Sequence, residues 1–313
     1  MKAEILFPEV CNLYGDLQNI YYLKRCCPAL EIIETDLHSK PRFLTEDVAL
    51  VYMGSTTEQG LRLAADALRP YAADIAARAD AGQLILLTGN APDVFSDAIE
   101  SDSADTIEGL GILPGRVRYT MMKRHNSFFL GTFDGMEVVG FKSLFGFHYD
   151  AAEAEGWFDT VRGVGRTPES KPEGFCRGGL YATALIGPLL ILNPPLCKWL
   201  LRQMGAEDTL PLRTRPSPAL TNVWRSSRSR AEVSNTRKQK TSPGRGMFFV
   251  SELFGQRFVQ AHAVEVLGRA AGAAAAGTGA GARTGAAAGA GTVAAAAETA
   301  SAARRAAHAG MAE

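Results

Sequence analysis

Leu84-Ile85-Leu86-Leu87 carries no polar side-chain atom, and it is closed by Thr88-Gly89-Asn90. Such a run reads as a strand covered on both faces, the setting of parallel strands in α/β proteins. Its neighbours agree. Residues 4–7 and 48–53 are further short apolar runs, the second bounded by Gly54. Residues 12–26 predict a loop leading into a helix that carries Ile20 and Leu23. Residues 61–81 place Ala and Leu at helical spacing and predict one long helix. This alternation predicts an open α/β domain with a mainly parallel sheet. Residues 4–7, 48–53 and 84–87 should be its adjacent central strands, because short crossovers favour neighbours.

The pattern then turns to aromatic and β-branched residues. Residues 117–120, 128–133 and 137–141 predict strands, with Asp134-Gly135 as a hairpin turn. Residues 161–165 offer another strand. Pro194 opens a terminal helix over 194–204. Residues 1–205 therefore form one domain. Residues 206–247 read as a basic Arg/Ser-rich linker with few apolar anchors, and residues 248–269 as an amphipathic helix. Residues 270–313 are an Ala/Gly low-complexity tail without side chains for a core, expected to be disordered. Out-of-frame reading of GC-rich DNA also yields such sequence, so 211–313 admits both a functional tail and an extension of that origin.

A formal net charge of zero hides an uneven distribution. Between Pro211 and Arg245 lie nine basic residues and a single acid, Glu232. Such a segment can contact nucleic acid through phosphates. With Trp224 its only aromatic, a solvated linker is the stronger reading. The five cysteines have no C-x-x-C spacing, which argues against a disulfide framework or a zinc site and fits a reducing compartment. Glu4 and Pro8 interrupt the N-terminus too early for a signal peptide, and no apolar run approaches the ~20 residues of a membrane span. The expectation is a cytoplasmic protein.

Several stretches of residues 1–205 resemble a known family in their order and spacing. They are Asn12-Leu13-Tyr14-Gly15-Asp16 with Asn19-Ile20, then Met53-Gly54 followed by Glu58-Gln59, then Glu108-Gly109-Leu110-Gly111-Ile112-Leu113. Gly140-Phe141, Gly187-Pro188-Leu189-Leu190 and Asn193-Pro194 complete the set. Together they resemble the CobB/CobQ-type class I glutamine amidotransferases, and most closely the glutaminase subunit of lipid II isoglutaminyl synthase (GatD-type). The resemblance implies a flavodoxin-like amidotransferase domain with a β-rich second half. It implies no cofactor and no metal, and a Mur-ligase-like synthetase as partner.

In that family the turn after the apolar strand carries a cysteine at a helix N-terminus, where the dipole and backbone N–H groups favour the thiolate. A later histidine acts as base and then acid. Here Thr88 stands at the nucleophile position and Ile186 at the histidine position. The glutamine-facing segment reads Gly140-Phe141-Lys142-Ser143-Leu144-Phe145-Gly146, and the glycine-rich loop is reduced to Gly54-Ser55-Thr56. No catalytic pair is intact, and glutamine binding is not supported. Cys11 and Cys176 sit on no strand-to-helix elbow and read as structural thiols. His148 falls near a pocket wall, where a satisfied core or surface histidine is commoner than a catalytic one. Arg124 resembles an arginine the family keeps and is a candidate for bidentate carboxylate binding, with a plain surface charge as the alternative.

The reading that follows is an amidotransferase-like subunit with a degenerate Cys–His site, not itself hydrolysing glutamine, serving as partner-binding or regulatory subunit of a Mur-ligase-like amidating complex. One alternative is an active glutaminase supplying ammonia for lipid II D-glutamate or cobyric-acid-type amidation. The other is a nucleic-acid-associated protein acting through the basic linker. Whether the chain is an enzyme stays open at this point.

Overall fold

The structure is a computed structural model that describes residues 1–151 and 153–206. The expectations for 206–247, 248–269 and 270–313 therefore lie outside the described residues, apart from Ala206 itself. The first strands are β1 (Lys2–Leu6), β2 (Glu31–Thr35), β3 (Leu50–Met53) and β4 (Ile85–Leu87). The middle of the chain adds β5 (Ala98–Ser101), β6 (Ile107–Glu108), β7 (Arg116–Tyr119), β8 (His125–Phe133), β9 (Met136–Leu144) and β10 (Gly146–Tyr149). The remaining strands are β11 (Phe158–Arg162), β12 (Pro172–Glu173), β13 (Phe175–Arg177) and β14 (Leu180–Ala182). The helices are α1 (Gln18–Cys26), α2 (Glu58–Leu68), α3 (Ala72–Asp80), α4 (Ala91–Phe95), α5 (Leu189–Leu192) and α6 (Pro194–Gln203).

A six-stranded sheet in the order β13-β14-β4-β3-β1-β2 forms the centre. It is parallel except for the β13–β14 pair. The apolar runs around residues 4–7, 48–53 and 84–87 are its adjacent inner strands, as expected. Strand alternation sends Ala3, Ile5, Leu50, Tyr52 and Leu86 to a core shared with α1, α5 and α6. Leu6, Val51, Met53, Ile85 and Leu87 go to the opposite core, under α2 and α3. Both faces are covered, which is why these strands contain almost no polar side chain. The exception, Glu4, is buried with its carboxylate accepting from Thr35 Oγ1 (2.6 Å) and from the amides of Arg42 (2.7 Å) and Phe43 (2.6 Å).

The β-rich half forms two four-stranded sheets, β10-β7-β5-β6 and β12-β11-β8-β9. Asp134 (φ 47°) and Gly135 (φ 71°) close the β8–β9 hairpin as a turn with two left-handed residues, as the Asp-Gly pair predicts. Two expectations need correction. The helix expected over 61–81 is two helices, α2 and α3, separated by a 3-10 turn at Arg69–Tyr71. Pro70 lacks the N–H that would continue the ladder, and its ring opposes an unbroken helix. The strand expected over 161–165 is β11, which ends before Gly163 (φ 107°). Among the described residues no helix is long and apolar enough to cross a membrane.

Strand order reverses between β1 and β3, with β2 on one side and β4 and β14 on the other. In open α/β sheets the crevice beyond the carboxyl ends at such a point is where ligands bind. The segments that follow β1, β3 and β4 meet there.

Candidate functional site

Thr88 follows β4 directly, Gly89 takes φ +64°, and α4 begins at Ala91. This is the strand-to-helix turn expected from the sequence. Its side chains are arranged otherwise. Thr88 is fully buried, with its hydroxyl donating to Asp16 Oδ2 (2.8 Å), beneath the turn. The turn residues that line the adjoining cavity are Gly89 and Asn90. A Cβ at Gly89 would stand 1.8 Å from Ser55 Oγ and 3.2 Å from Ile186 Cγ2, so the position holds no side chain without displacing Ser55.

Ser55 is held by Asp16, whose Oδ2 accepts from the Ser55 amide (3.0 Å) and the Ser55 hydroxyl (2.7 Å). The Tyr52 hydroxyl donates to the main-chain oxygen of Asp16 (2.9 Å) and lies 2.8 Å from Thr88 Oγ1. Asn19 donates to the Tyr52 hydroxyl (3.1 Å) and accepts from the Leu190 amide (2.9 Å), tying α1 to α5. On the other side of the turn, Asn90 Oδ1 accepts from the Thr56 amide (2.8 Å) and Asn90 Nδ2 donates to Thr56 O (2.9 Å). The loop amides of Ser55 and Thr56 are thus both spent on the protein's own acceptors. An oxyanion hole needs such donors aimed at the reacting oxygen.

Burial pushes the Asp16 carboxyl above the usual aspartate range, and the hydrogen bonds from Ser55, Thr88 and Asn19 only partly oppose it. A carboxyl with a raised folded-state pKa takes up its proton first in the native state. Between about pH 3.9, the unfolded value, and the raised folded value, its contribution to stability therefore grows as pH falls. That contribution is complete below the unfolded pKa and lost as pH rises through the folded one. The stability of the wild type relative to Asp16→Asn should accordingly improve from pH 7 to pH 4. Urea midpoints of the two proteins across that range measure it, and a difference moving the other way would contradict it.

A cavity of about 420 Å³ opens over the turn, lined on one side by Ser55, Thr56, Glu58, Gly89 and Asn90. Its lining also includes a buried Lys–Glu pair and a buried Asp–His pair. Lys142, 1% exposed, donates to Gly165 O (2.9 Å) and lies 3.2 Å from Glu173 Oε1. Glu173 also accepts from Thr183 Oγ1 (2.8 Å) and the Ala184 amide (3.0 Å). Burial lowers the Lys142 pKa, and the charge of Glu173 opposes that. Asp93 on α4 accepts from the Tyr119 hydroxyl (2.6 Å) and lies 2.8 Å from His148 Nε2. Burial also pushes the Tyr119 phenol well up, and the Asp93 charge adds to it. The Arg166 guanidinium donates to Ala151 O (2.9 Å) and Ala154 O (2.6 Å) and stacks 4.7 Å from the Phe175 ring.

The structure brings the turn at Gly89 and the segment at Ile186 together. Ile186 lines the cavity beside Gly89, paired by backbone to Phe141, while the Gly89 amide donates to Leu185 O (3.3 Å). Arg124 lies at the cavity with its guanidinium 4.2 Å from the Phe145 ring. His148 is in the wall, satisfied at Nε2 by Asp93. Cys11 is buried away from the cavity lining, and Cys176 lies in β13. Burial pushes both thiols up to about 12, which makes them inert at neutral pH. Among the described residues no cluster of three His, Cys, Asp or Glu is placed to hold a metal ion.

No protein-family model matches the chain, and no curated protein matches it. Among solved structures it is similar to PurLQS from Thermotoga maritima, with 16% identity and a TM-score of 0.43 over 66% of this chain and 92% of that one. It is similar to a glutamine amidotransferase with 13% identity and a TM-score of 0.44 over 65% of this chain and 99% of that one. A second glutamine amidotransferase, from Thermotoga maritima, gives 12% identity and a TM-score of 0.40, covering 65% and 96% of the two chains.

Proposed function

We propose that this chain is a glutamine amidotransferase-like subunit whose own glutaminase site has degenerated. It serves as a partner-binding or regulatory member of an amidating complex. The observation that carries this reading is the state of the turn. By the resemblance, Thr88 and Ile186 stand at the nucleophile and histidine positions; Thr88 is buried against Asp16, and a side chain at the neighbouring Gly89, which lines the cavity, would meet Ser55. The loop amides of Ser55 and Thr56 are already engaged. A pocket remains, with room for a small ligand, but no cysteine among the described residues lines it. The alternative of an active glutaminase would need a nucleophile other than a thiol, since no cysteine among the described residues lines this cavity. The sequence resemblance supplies the partner: a Mur-ligase-like synthetase that amidates the D-glutamate of lipid II.

The test is association with catalysis assayed in parallel. The full chain, mixed with a Mur-ligase-like synthetase from the same genome, should co-elute as a defined complex on size-exclusion chromatography. The mixture should release no more ammonia from glutamine than the synthetase alone. Independent elution of the two proteins would overturn the partner role, and glutamine-dependent ammonia release would overturn the degenerate site.

A further inference from the structure

The buried carboxylates that line the cavity are matched within the protein. The oxygens of Glu173 are taken up by Lys142, the Thr183 hydroxyl and the Ala184 amide. Both oxygens of Asp93 are engaged as well, one with His148 and the other with the Tyr119 hydroxyl. Arg166 is different. It lines the same cavity at 7% exposure, and among the described residues no carboxylate forms an ion pair with it. Its Nη atoms donate to Ala151 O (2.9 Å) and Ala154 O (2.6 Å), while its Nε–H has no acceptor among the described residues. The Phe175 ring, 4.7 Å from the guanidinium carbon, supports the plane of the fork. Burial disfavours this charge, and the charge of Glu173 offsets that in part. A cation in such a place is costly to bury unless an anion meets it.

We infer that this cavity takes a small organic acid, its carboxylate on the Arg166 fork and its apolar body against Phe145, Phe147 and Ile186. Three features set that class. The Nε–H and a remaining Nη–H form a side-on pair of donors, the arrangement that matches a carboxylate. A cationic ligand finds no open partner among the buried carboxylates, because the oxygens of Asp93 and Glu173 are already taken. Phe145, Phe147, Phe175 and Ile186 share the lining with these charges, and small-molecule sites combine an apolar lining with a few polar groups that fix orientation. An inorganic oxyanion would use the fork and leave the apolar lining uncovered. The inference rests on the reading of the turn as a degenerate glutaminase site, since an active one would hold glutamine in this cavity.

The experiment screens the full-length chain by thermal unfolding against benzoate, phenylacetate and succinate, each beside its neutral amide. Inorganic phosphate and glutamine are further arms, and isothermal titration calorimetry follows for whatever raises the midpoint. The expected result is that an aryl acid raises the midpoint and binds while its amide does not. Succinate and phosphate, which lack the apolar body, should bind more weakly. Arg166→Met should weaken the acid by about 10–100-fold, the loss expected for hydrogen bonds to a charged group, and Arg166→Lys should recover part of it. If Arg166→Met does not fold, the comparison of acid with amide on the wild type decides the matter. Equal binding of acid and amide, acid binding undiminished in Arg166→Met, phosphate binding tighter than every acid, or no binding of any acid would each overturn the inference. Ammonia release from the glutamine arm would instead overturn the degenerate-site reading, so the two failures are distinguishable.

Discussion

Replacing Glu173 with alanine is expected to destabilise the fold by about 3–5 kcal/mol, the cost of leaving a buried charge without its partner. Lys142 would keep only Gly165 O as acceptor, at 1% exposure. Burial already lowers its pKa, so without Glu173 the ammonium is driven further toward neutrality. The Thr183 hydroxyl and the Ala184 amide would lose their acceptor as well. Glu173→Gln should cost less, because the amide oxygen still accepts one of those bonds. Removing both charges with Lys142→Met and Glu173→Leu should cost less than the sum of the single variants, since neither charge is then stranded. Urea unfolding of the wild type, Glu173→Ala, Glu173→Gln, Lys142→Met, Glu173→Leu and the double variant measures this. Additive losses, or a loss below about 1 kcal/mol for Glu173→Ala, would mean that the pair is not coupled as its geometry implies.

The central sheet was legible because its inner strands are buried on both faces, and such strands leave a largely apolar signature at β1, β3 and β4, with Glu4 the buried exception. Strand β2, with Glu31, Glu34 and Thr35 along it, has no such signature, since it lies at the edge and half its side chains meet solvent. The break between α2 and α3 was written in Pro70 and passed over in favour of the Ala/Leu spacing on either side. The site was half legible. The turn and the segment at Ile186 were identified and do meet, but the direction of Thr88 was not. A threonine after an apolar strand reads the same whether it faces a pocket or a buried carboxylate. Asp16 reaches Thr88 across 72 positions, a pairing that only the fold creates. Lys142 and Glu173 were missed as a pair because charged residues in a β-rich region read as solvated. A signal did exist for Lys142. It has the same parity on β9 as Val138 and Gly140, the inward-facing positions of that strand.

The other large effect concerns chemistry. Purified protein, alone or with a synthetase partner, is expected to release no ammonia from glutamine above the buffer control, and Thr88→Ala should behave identically. Amide hydrolysis in this manner needs a low-pKa nucleophile, a proton shuttle for the leaving ammonia and donors for the oxyanion. Losing the unit's members costs on the order of 10⁴–10⁶ in rate, and restoring one does not return its share. The geometry says which repairs should fail. Thr88→Cys would place a thiol against the Asp16 carboxylate, beneath the turn, where burial and a nearby negative charge both disfavour the thiolate. Gly89→Cys would point a side chain toward the cavity, but at φ +64° and into Ser55 Oγ. Left-handed backbone at a non-glycine residue costs roughly 1–3 kcal/mol before the clash is counted. That variant should therefore lose stability and gain no activity, even with Ile186→His beside it. Relief would require Ser55→Gly as well, which removes a donor from Asp16 and loosens the support of the turn. Ammonia release measured across this series decides the point. Hydrolysis by the wild type that Thr88→Ala abolishes would show that the threonine hydroxyl leaves Asp16 and reaches the substrate.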